Sequence, residues 1–356
     1  MGEEFRIETM LLEGLHLPLT TPFYPDGRLN LRKIEHNVDR YSRTPVSTLV
    51  ALSQNGEPAL LSDAETRETL ATVMGVAGET KVTIAGIGRG SVTGTLDLAD
   101  FAASIGYDAA LVQRPSFLHE AQLREALTFF QTVADRSPLP IVLYSIASAP
   151  LPVELIAELA SHPRIIGLSD EDASTERISA IRTATAQVQR EVTVTTVFAA
   201  ATGRMLATKE STGAATFVAA EGLSGGVAVA TAPPRPALRT RSKTVGFQIV
   251  AATSAGMLSG LRAGAIGAMP ALAASAPQGC YEVYAAWKDD DQALADEKQA
   301  RIAPAIARVE VELGVPGIRF GCDLNGYFGG RPRLPLLPLT EAQRGEIEAA
   351  MAGIRN

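Results

Sequence analysis

The sequence is poor in cysteine and in lysine, and each shortage limits what the protein can be. Cys280 and Cys322 are the only cysteines among 356 residues and lie 42 positions apart, so we expect neither a disulfide framework nor a zinc cluster. We interpret both as buried thiols and expect a cytoplasmic protein. Lysine occurs only six times, as Lys33, Lys81, Lys209, Lys243, Lys288 and Lys298.

The chain also lacks an excess of positive charge and a long apolar run. Its formal net charge is -7, which argues against nucleic acid as a partner because phosphate binding needs clustered Lys and Arg. It contains no stretch of about 18 uninterrupted apolar residues, and no basic start followed by an apolar run. We therefore expect neither a membrane span nor a secretion signal.

Short β-branched runs alternate with helical patterns, which indicates βα units and a parallel sheet. Runs such as "STLVALS" and "PIVLYS" are nearly all apolar, as is typical of strands buried on both faces. We predict a (β/α)8 TIM barrel whose active site lies at the C-terminal ends of its strands. The predicted strands are His16–Thr21, Ser47–Ser53, Lys81–Ile87, Ala109–Gln113, Pro140–Ser145, Arg164–Ser169, Phe247–Ala252 and Ala265–Met269.

Two further regions extend this barrel. Ser62 and Glu65 form a capping-box pattern that predicts the start of a helix. The segment from about 189 to 244 is rich in Ala, Gly, Thr and Val and is longer than a barrel connection, so we interpret it as an insertion between units six and seven. The predicted barrel thus spans 1–280 with that interruption, and 281–356 form a C-terminal helical region.

Eight sequence segments occur in an order that suggests a family. They are "LTTPFYPDG", "SQNGEPALLSDAE", "IAGIGRGSVTGTLDLA", "RPSF", "PIVLYS", "RIIGLSDED", "AGAIGAMPALAASAP" and "GRPRLPLLPLT". Together they resemble the dihydrodipicolinate synthase / N-acetylneuraminate lyase family over the whole chain apart from the insertion. The resemblance implies condensation or cleavage of 2-oxo acids, usually pyruvate, by an oligomer. It also implies an imine-forming lysine after strand six, a proton-shuttling tyrosine after strand five and a carboxylate-binding loop after strand two.

The position that the resemblance gives to the lysine holds Ser169. A hydroxyl cannot replace an amine there, because only an amine condenses with a carbonyl to give an imine. Lys81 opens the third strand and so should lie at the stability face of the barrel. Lys209 and Lys243 could supply the amine only if the insertion folded inward.

Other positions depart from the family pattern in the same direction. Gln54 and Asn55 replace a threonine pair, so their amides could donate to a carboxylate but the relay hydroxyl is lost. Phe117 stands where a second relay tyrosine is expected, and Ala149 where an arginine would hold a second substrate. Tyr144 is retained at the end of the fifth strand.

These residues give the predicted site. We expect Tyr144 to act as a general acid/base and Ser169 to hydrogen-bond a substrate carbonyl. Neither a cofactor nor a metal is expected. The expected partner is a small-molecule carboxylate substrate, and the chain is expected to form a homotetramer or a homodimer. The predicted substrate-binding residues are Thr21, Gln54, Asn55, Gly56 and Met269.

Three alternatives stay open at this stage. Asp170, Glu171 and Asp172 could bind Mg²⁺, although acids at the start of a helix are the favoured interpretation. The chain could be a non-catalytic metabolite-binding or scaffolding relative of the family. It could also be an ordinary lyase whose amine comes from the insertion.

Overall fold

Eight parallel strands close into a barrel in the computed structural model, which describes residues 9–119, 121–197, 199–207 and 239–354. Each of these strands overlaps one of the predicted strands, so the predicted fold is confirmed. The barrel strands are β1 Gly14–Pro18, β2 Thr48–Ala51, β3 Val82–Gly86, β4 Ala109–Gln113, β5 Ile141–Ser145, β6 Ile165–Asp170, β9 Gln248–Ala251 and β10 Gly267–Ala268. Around the barrel the order is β1, β10, β9, β6, β5, β4, β3, β2.

Side chains of each strand alternate between two apolar layers. Val50 and Leu111 point into the barrel, where they pack with Val142 and Val250. Residues next to them, such as Val112, pack in the layer between strands and helices. Burial on both faces is the reason that these strands read as nearly continuous apolar runs.

Helices surround the barrel between successive strands. The helix α2 begins with the predicted capping box: Ser62 Oγ accepts from the Glu65 N–H at 3.2 Å, and Glu65 Oε2 accepts from the Ser62 N–H at 2.9 Å. The outer helices are α1 Leu31–Ser42, α2 Asp63–Val76, α3 Val92–Ser104, α4 Leu123–Arg136, α5 Val153–Ala160, α6 Thr175–Ala184 and α8 Met257–Ala263.

The C-terminal region is helical and packs against the strand ends. The predicted boundary at 280–281 falls inside the first of its helices. The side chain of Arg319 is fully buried and donates from Nη2 to the backbone carbonyl of Thr21, 2.6 Å away, just beyond β1. The helices are α9 Pro277–Lys288, α10 Gln292–Ala305, a π-helix Ile306–Glu312, α11 Gly314–Leu324 and α12 Glu341–Met351.

The described part of the predicted insertion lies at the other end of the barrel. Strands β7 Arg190–Thr195 and β8 Thr240–Val245 form an antiparallel ribbon outside the barrel. The short helix α7 Gly203–Ala207 places Arg204 3.4 Å from Asp108, immediately before β4. The ribbon and α7 therefore cover the face where strands begin; residues 208–238, including Lys209, lie outside the described residues.

Burial of His16 in β1 makes the stability of the fold depend on pH. Its Nε2 donates to the Leu12 carbonyl at 2.9 Å, yet burial lowers the pKa of His16 from 6.5 to about 4. The unfolded chain binds this proton more readily, so the contribution is complete above the unfolded pKa and is lost as pH falls through the folded one. We expect the free energy of unfolding to decrease by about 3 kcal/mol across that window.

Urea unfolding at several pH values would measure this dependence. The His16→Gln variant keeps an N–H donor but does not titrate, so its unfolding free energy should lack the same decrease. Equal slopes in the two proteins would contradict the assignment.

Candidate active site

Three polar side chains stand in one row at the C-terminal mouth of the barrel. Tyr144, near the end of β5, is in register with Gln113 on β4 and with Ser169 on β6. Neighbouring strands lie about 4.8 Å apart, so these residues are side by side. The sequence predicts that Ser53, Tyr144 and Ser169 open on one mouth of the barrel, and the strand register confirms this for Tyr144 and Ser169.

The hydroxyl of Tyr144 is hydrogen-bonded to a carboxylate. It donates to Glu171 Oε1 at 2.5 Å, and the second oxygen of Glu171 accepts from the Ala147 N–H at 2.8 Å. Burial and the adjacent charge of Glu171 hold the pKa of Tyr144 well above 10, while the backbone N–H of Gln54 acts in the opposite direction. The phenol therefore stays protonated, with a carboxylate placed to take its proton.

The favoured interpretation of the acids after β6 is wrong. Helix α6 begins only at Thr175, and the acid in its first turn is Glu176. Asp170 still belongs to the strand and is ion-paired with Arg177, Nε to Oδ2 2.7 Å, although burial raises the pKa of Asp170. Within the described ranges, no group of three or more Asp, Glu, His or Cys residues is arranged to hold a metal ion.

The loop after β2 is held by internal hydrogen bonds. Thr21 Oγ1 donates to the Gly56 carbonyl at 2.7 Å, and the Gly56 N–H donates to the backbone carbonyl of Ser53 at 2.9 Å. Asn55 Nδ2 donates to two backbone carbonyls, those of Pro18 and Ala271, at 3.3 and 3.0 Å. These hydrogen bonds keep a turn in place beside Tyr144. The backbone N–H of Gln54, which belongs to this turn, donates to the hydroxyl oxygen of Tyr144.

Ser169 is buried beside the last of the predicted substrate-binding residues. Its Oγ lies 3.7 Å from the sulfur of Met269, and thioethers are weak hydrogen-bond acceptors. Rotation of the hydroxyl toward a stronger acceptor in the barrel interior would therefore break only a weak hydrogen bond.

The described lysines have their amines away from this row. Lys81 Nζ donates to the carbonyls of Thr44 and Val46, 2.6 and 2.7 Å away, where strands begin. Lys243 reaches Glu13, immediately before β1, at 3.2 Å. The insertion thus places Lys243 at the face opposite Tyr144.

Glu310, which the sequence interpretation missed, also reaches the mouth. It belongs to the π-helix, and its carboxylate accepts from the Leu272 N–H at 3.1 Å and from the Ser254 hydroxyl. Burial raises the pKa of Glu310, and the negative charge of Glu171 adds to the effect. Single π-helical turns are frequent at functional sites, but the sequence carries no pattern that would have shown one here.

A buried ion pair fixes the loop after β2 to the C-terminal helices. Arg319 Nε donates to Glu57 Oε1 at 2.7 Å, and Nη1 donates to the Gly329 carbonyl at 2.6 Å. Glu57 adopts a left-handed backbone conformation with φ 52°. The loop that carries Gln54 is therefore positioned by α11.

A (β/α)8 barrel with ionisable groups at the C-terminal mouth is the architecture of many enzymes, and sequence comparison defines the family. The sequence profile described as "Dihydrodipicolinate synthetase family" matches residues 11–229 and 237–353. The chain belongs to this family. The match extends into the segment that we had excluded from the resemblance, and within that segment it omits only 230–236.

Relatives in this family carry out lyase reactions. The chain is 27% identical over 347 residues to a 4-hydroxy-tetrahydrodipicolinate synthase of Acidiphilium cryptum, with 97% of this chain and 99% of the relative covered. It is 33% identical over 165 residues to an L-threo-3-deoxy-hexylosonate aldolase of Hypocrea jecorina, covering 43% of this chain and 52% of the relative.

Solved structures show the same fold. A dihydrodipicolinate synthase from Acinetobacter baumannii complexed with pyruvate matches with a TM-score of 0.75 and 20% identity, covering 97% of this chain and 99% of that one. A catalytic lysine mutant of the sialic acid aldolase of Ruminococcus gnavus matches with a TM-score of 0.74 and 16% identity, covering 96% and 95%.

Proposed function

We propose that this protein is a lyase or aldolase-type enzyme that acts on a small, pyruvate-like 2-oxo acid without forming an imine. The observation that carries the proposal is the 2.5 Å hydrogen bond from Tyr144 to Glu171. Tyr144 retains the hydroxyl of the family pattern, whereas Ser169 removes the amine. The protein has kept the means to move a proton and lost the means to form the covalent intermediate.

In the proposed reaction, the phenol oxygen of Tyr144 takes a proton from the carbon next to the keto group. The phenol proton passes at the same time to Glu171, so the substrate becomes an enolate and the carboxylate becomes a carboxylic acid. Ser169 donates its O–H to the developing oxyanion, which is the type of interaction that stabilises such a charge. The reverse transfer delivers the proton back to the enolate.

The carboxylate of the substrate is proposed to bind at the loop after β2. The backbone N–H of Asn55 and the exposed side-chain amide of Gln54 support this assignment, since both can donate to an anion. The contacts of Thr21 and Gly56 are internal to the loop, which favours a role for these two residues in keeping the turn in shape. Met269 would provide an apolar wall beside Ser169.

Hydrogen–deuterium exchange at carbon 3 of pyruvate tests the reaction directly. In D2O, proton NMR should show that the wild-type protein accelerates the exchange, because the enolate forms whether or not a second substrate is present. Tyr144→Phe should slow the exchange by about 100-fold or more, and Glu171→Gln should slow it as well. Tyr281→Phe, a change outside the barrel mouth on α9, is the matched control and should not affect it.

The same measurement separates an enzyme from a non-catalytic relative. If pyruvate raises the melting temperature of the protein but its protons do not exchange, the scaffold or metabolite-binding alternative is correct. This alternative is supported by Asn55, because its side-chain amide already donates to two backbone carbonyls and is not free to bind a substrate.

The proposal extends to the assembly and the compartment. We propose a homotetramer or homodimer in the cytoplasm. Large apolar side chains on the surface support self-association, and two free, buried cysteines fit a reducing compartment. In the described part of the chain, no helix is long and apolar enough to cross a membrane. The large apolar side chains that are exposed in the described part of the chain are Tyr24, Phe117, Val197, Leu294, Val311, Leu334 and Leu337.

A further inference from the structure

Gln113 is the last residue of β4, and its side chain points into the barrel. Ala109 and Leu111 of the same strand pack in the interior layer. Ala110 and Val112 pack in the layer between the strands and the helices. Because the side chains of a strand alternate between its two faces, Gln113 continues the interior series. Its amide therefore faces the barrel interior at the C-terminal mouth.

This amide is open to a ligand. Among the described residues, no group donates to it or accepts from it. The protein does not enclose it either, because Gln113 is half-buried whereas the four residues before it in β4 are buried. Its two N–H donors and its carbonyl oxygen are thus left for water or for a bound molecule.

A second glutamine in the barrel interior shows the contrast. Gln248 begins β9 and is buried at the opposite end of the barrel. Its Oε1 accepts from the Leu12 N–H at 2.8 Å, and its Nε2 donates to the carbonyls of Met10 and Ile166 at 2.9 and 3.2 Å. Polar groups in a protein interior usually have such partners. Gln248 therefore has a structural role that Gln113 lacks.

The surroundings of Gln113 hold its side chain next to Tyr144. Gln113 is in register with Tyr144 on β5, which is in register with Ser169 on β6. On the other side, a Cβ at Gly88 would lie 3.0 Å from the Cγ of Gln113, so the turn after β3 packs against this side chain. The amide is confined between that turn and Tyr144.

The row of Gln113, Tyr144 and Ser169 orders the carbons of a substrate. In the proposed reaction, Ser169 donates to the oxygen on carbon 2, and Tyr144 takes a proton from carbon 3. A longer 2-oxo acid continues in the same direction along the row, which brings its carbon 4 to β4. Gln113 is the side chain that β4 presents there.

The chemistry of this position favours a hydroxyl group on carbon 4. Gln113 carries no positive charge to bind an anion, and the carboxylate of Glu171 already lies against Tyr144. An amide both donates and accepts hydrogen bonds, as an alcohol does. A hydroxyl can therefore bond with Gln113 in either direction, whereas a methylene would leave the amide without a partner.

We propose that the side-chain amide of Gln113 hydrogen-bonds a hydroxyl group on carbon 4 of the substrate, so that the pocket selects 4-hydroxy-2-oxo acids. This inference rests on the proposed function, because it takes carbon 2 to lie beside Ser169 and carbon 3 beside Tyr144. It makes Gln113 a specificity-determining residue, since a site that bonds a hydroxyl discriminates against the analogue without it.

Two acids that differ only in this hydroxyl test the proposal, racemic 4-hydroxy-2-oxopentanoate and 2-oxopentanoate. Each is added to the hydrogen–deuterium exchange of pyruvate. Its affinity follows from the concentration that halves the initial rate, before the added acid is consumed. We expect the hydroxy acid to bind to the wild-type protein at least about 10-fold more tightly, which corresponds to one hydrogen bond.

Variants of Gln113 should remove this preference. Methionine has about the same length and no amide, so Gln113→Met should bind the two acids equally. Gln113→Asn keeps the amide but draws it back toward the strand, and most of the preference should be lost. Gln187→Met, which removes an exposed glutamine after α6, is the matched control and should keep it. The shift in melting temperature with each acid gives the same comparison for a variant that exchanges too slowly.

The stability of the free protein separates this role from a structural one. Gln113→Met should keep the melting temperature of the wild type, since it breaks no hydrogen bond among the described residues. Gln248→Met should lower it by several degrees, because the Leu12 N–H would be left buried without a partner. A decrease in Gln113→Met as large as that in Gln248→Met would contradict the open amide.

The outcomes separate this inference from the proposed function. Exchange of pyruvate protons with equal inhibition by the two acids, or a preference that survives in Gln113→Met, overturns the role of Gln113 alone. If Gln113→Met does not fold, a preference in Gln113→Asn as strong as in the wild type overturns it too. Absence of pyruvate exchange in the wild-type protein overturns the proposed function and this inference with it.

Discussion

Replacing Ser169 with lysine should turn a protein that forms no adduct with pyruvate into one that does. The new amine would stand beside Tyr144, its register partner, at the position where the family pattern has the imine-forming lysine. After incubation with pyruvate and borohydride, mass spectrometry should show one reduced pyruvate on Ser169→Lys. The wild-type protein should keep its mass, because its described lysines are held elsewhere.

Glu171 should limit the yield of this adduct. Only the neutral amine attacks a carbonyl, and a nearby carboxylate favours the charged form of a lysine, whereas burial favours the neutral form. The double variant Ser169→Lys/Glu171→Gln should therefore be trapped more completely at neutral pH than Ser169→Lys. A folded Ser169→Lys that traps no 2-oxo acid would show that the pocket has diverged from keto-acid binding. An adduct on Lys209 or Lys243 of the wild-type protein would instead support the lyase with an amine from the insertion.

Replacing Arg319 with methionine should strongly destabilise the protein. The change leaves the carboxylate of Glu57 buried without its cation and removes the donors to Thr21 and Gly329. Breaking a buried pair in this way costs about 3–5 kcal/mol, which denaturant unfolding would detect as a lower midpoint.

A double-mutant cycle separates the ion pair from the other contacts. Glu57→Gln/Arg319→Met should be more stable than the sum of the two single changes predicts, because the second change removes the uncompensated charge. Arg43→Met, which breaks the exposed pair with Asp39, should have far less effect, since water screens exposed pairs. If the two changes, at 57 and 319, altered the free energy of unfolding in a strictly additive way, the ion pair would contribute no coupling energy and the prediction would be wrong.

The sequence was sufficient for the barrel because its signals are local. Mostly apolar runs of five to seven residues marked the eight barrel strands, and Ser62 with Glu65 marked the start of α2. Within the predicted C-terminal helical region, no local pattern marked Gly314–Leu324 as a separate helix, because Gly314, Pro316 and Gly317 are poor helix formers. The structure explains Gly317: a Cβ there would lie 2.3 Å from the Val309 carbonyl of the π-helix, so close packing requires a glycine.

The site was only partly predictable because its contacts depend on register and on distant segments. Tyr144 and Ser169 could be placed from the ends of their strands and from the family pattern. The bond from Tyr144 to Glu171 required the relative register of β5 and β6, which no local pattern gives. Glu310 lies about 40 residues beyond the last barrel strand, so no local pattern connects it with the strand ends that it contacts.

The two ends of this barrel can change independently of each other. The ribbon of β7 and β8 attaches where strands begin, whereas Tyr144, Ser169 and Glu171 stand where strands finish. Substitutions in the ribbon therefore need not change the contacts of the pocket, and substitutions in the pocket need not change the ribbon. A ligand or partner that binds the ribbon would approach the barrel from the end opposite to Tyr144, so both ends can be occupied at once.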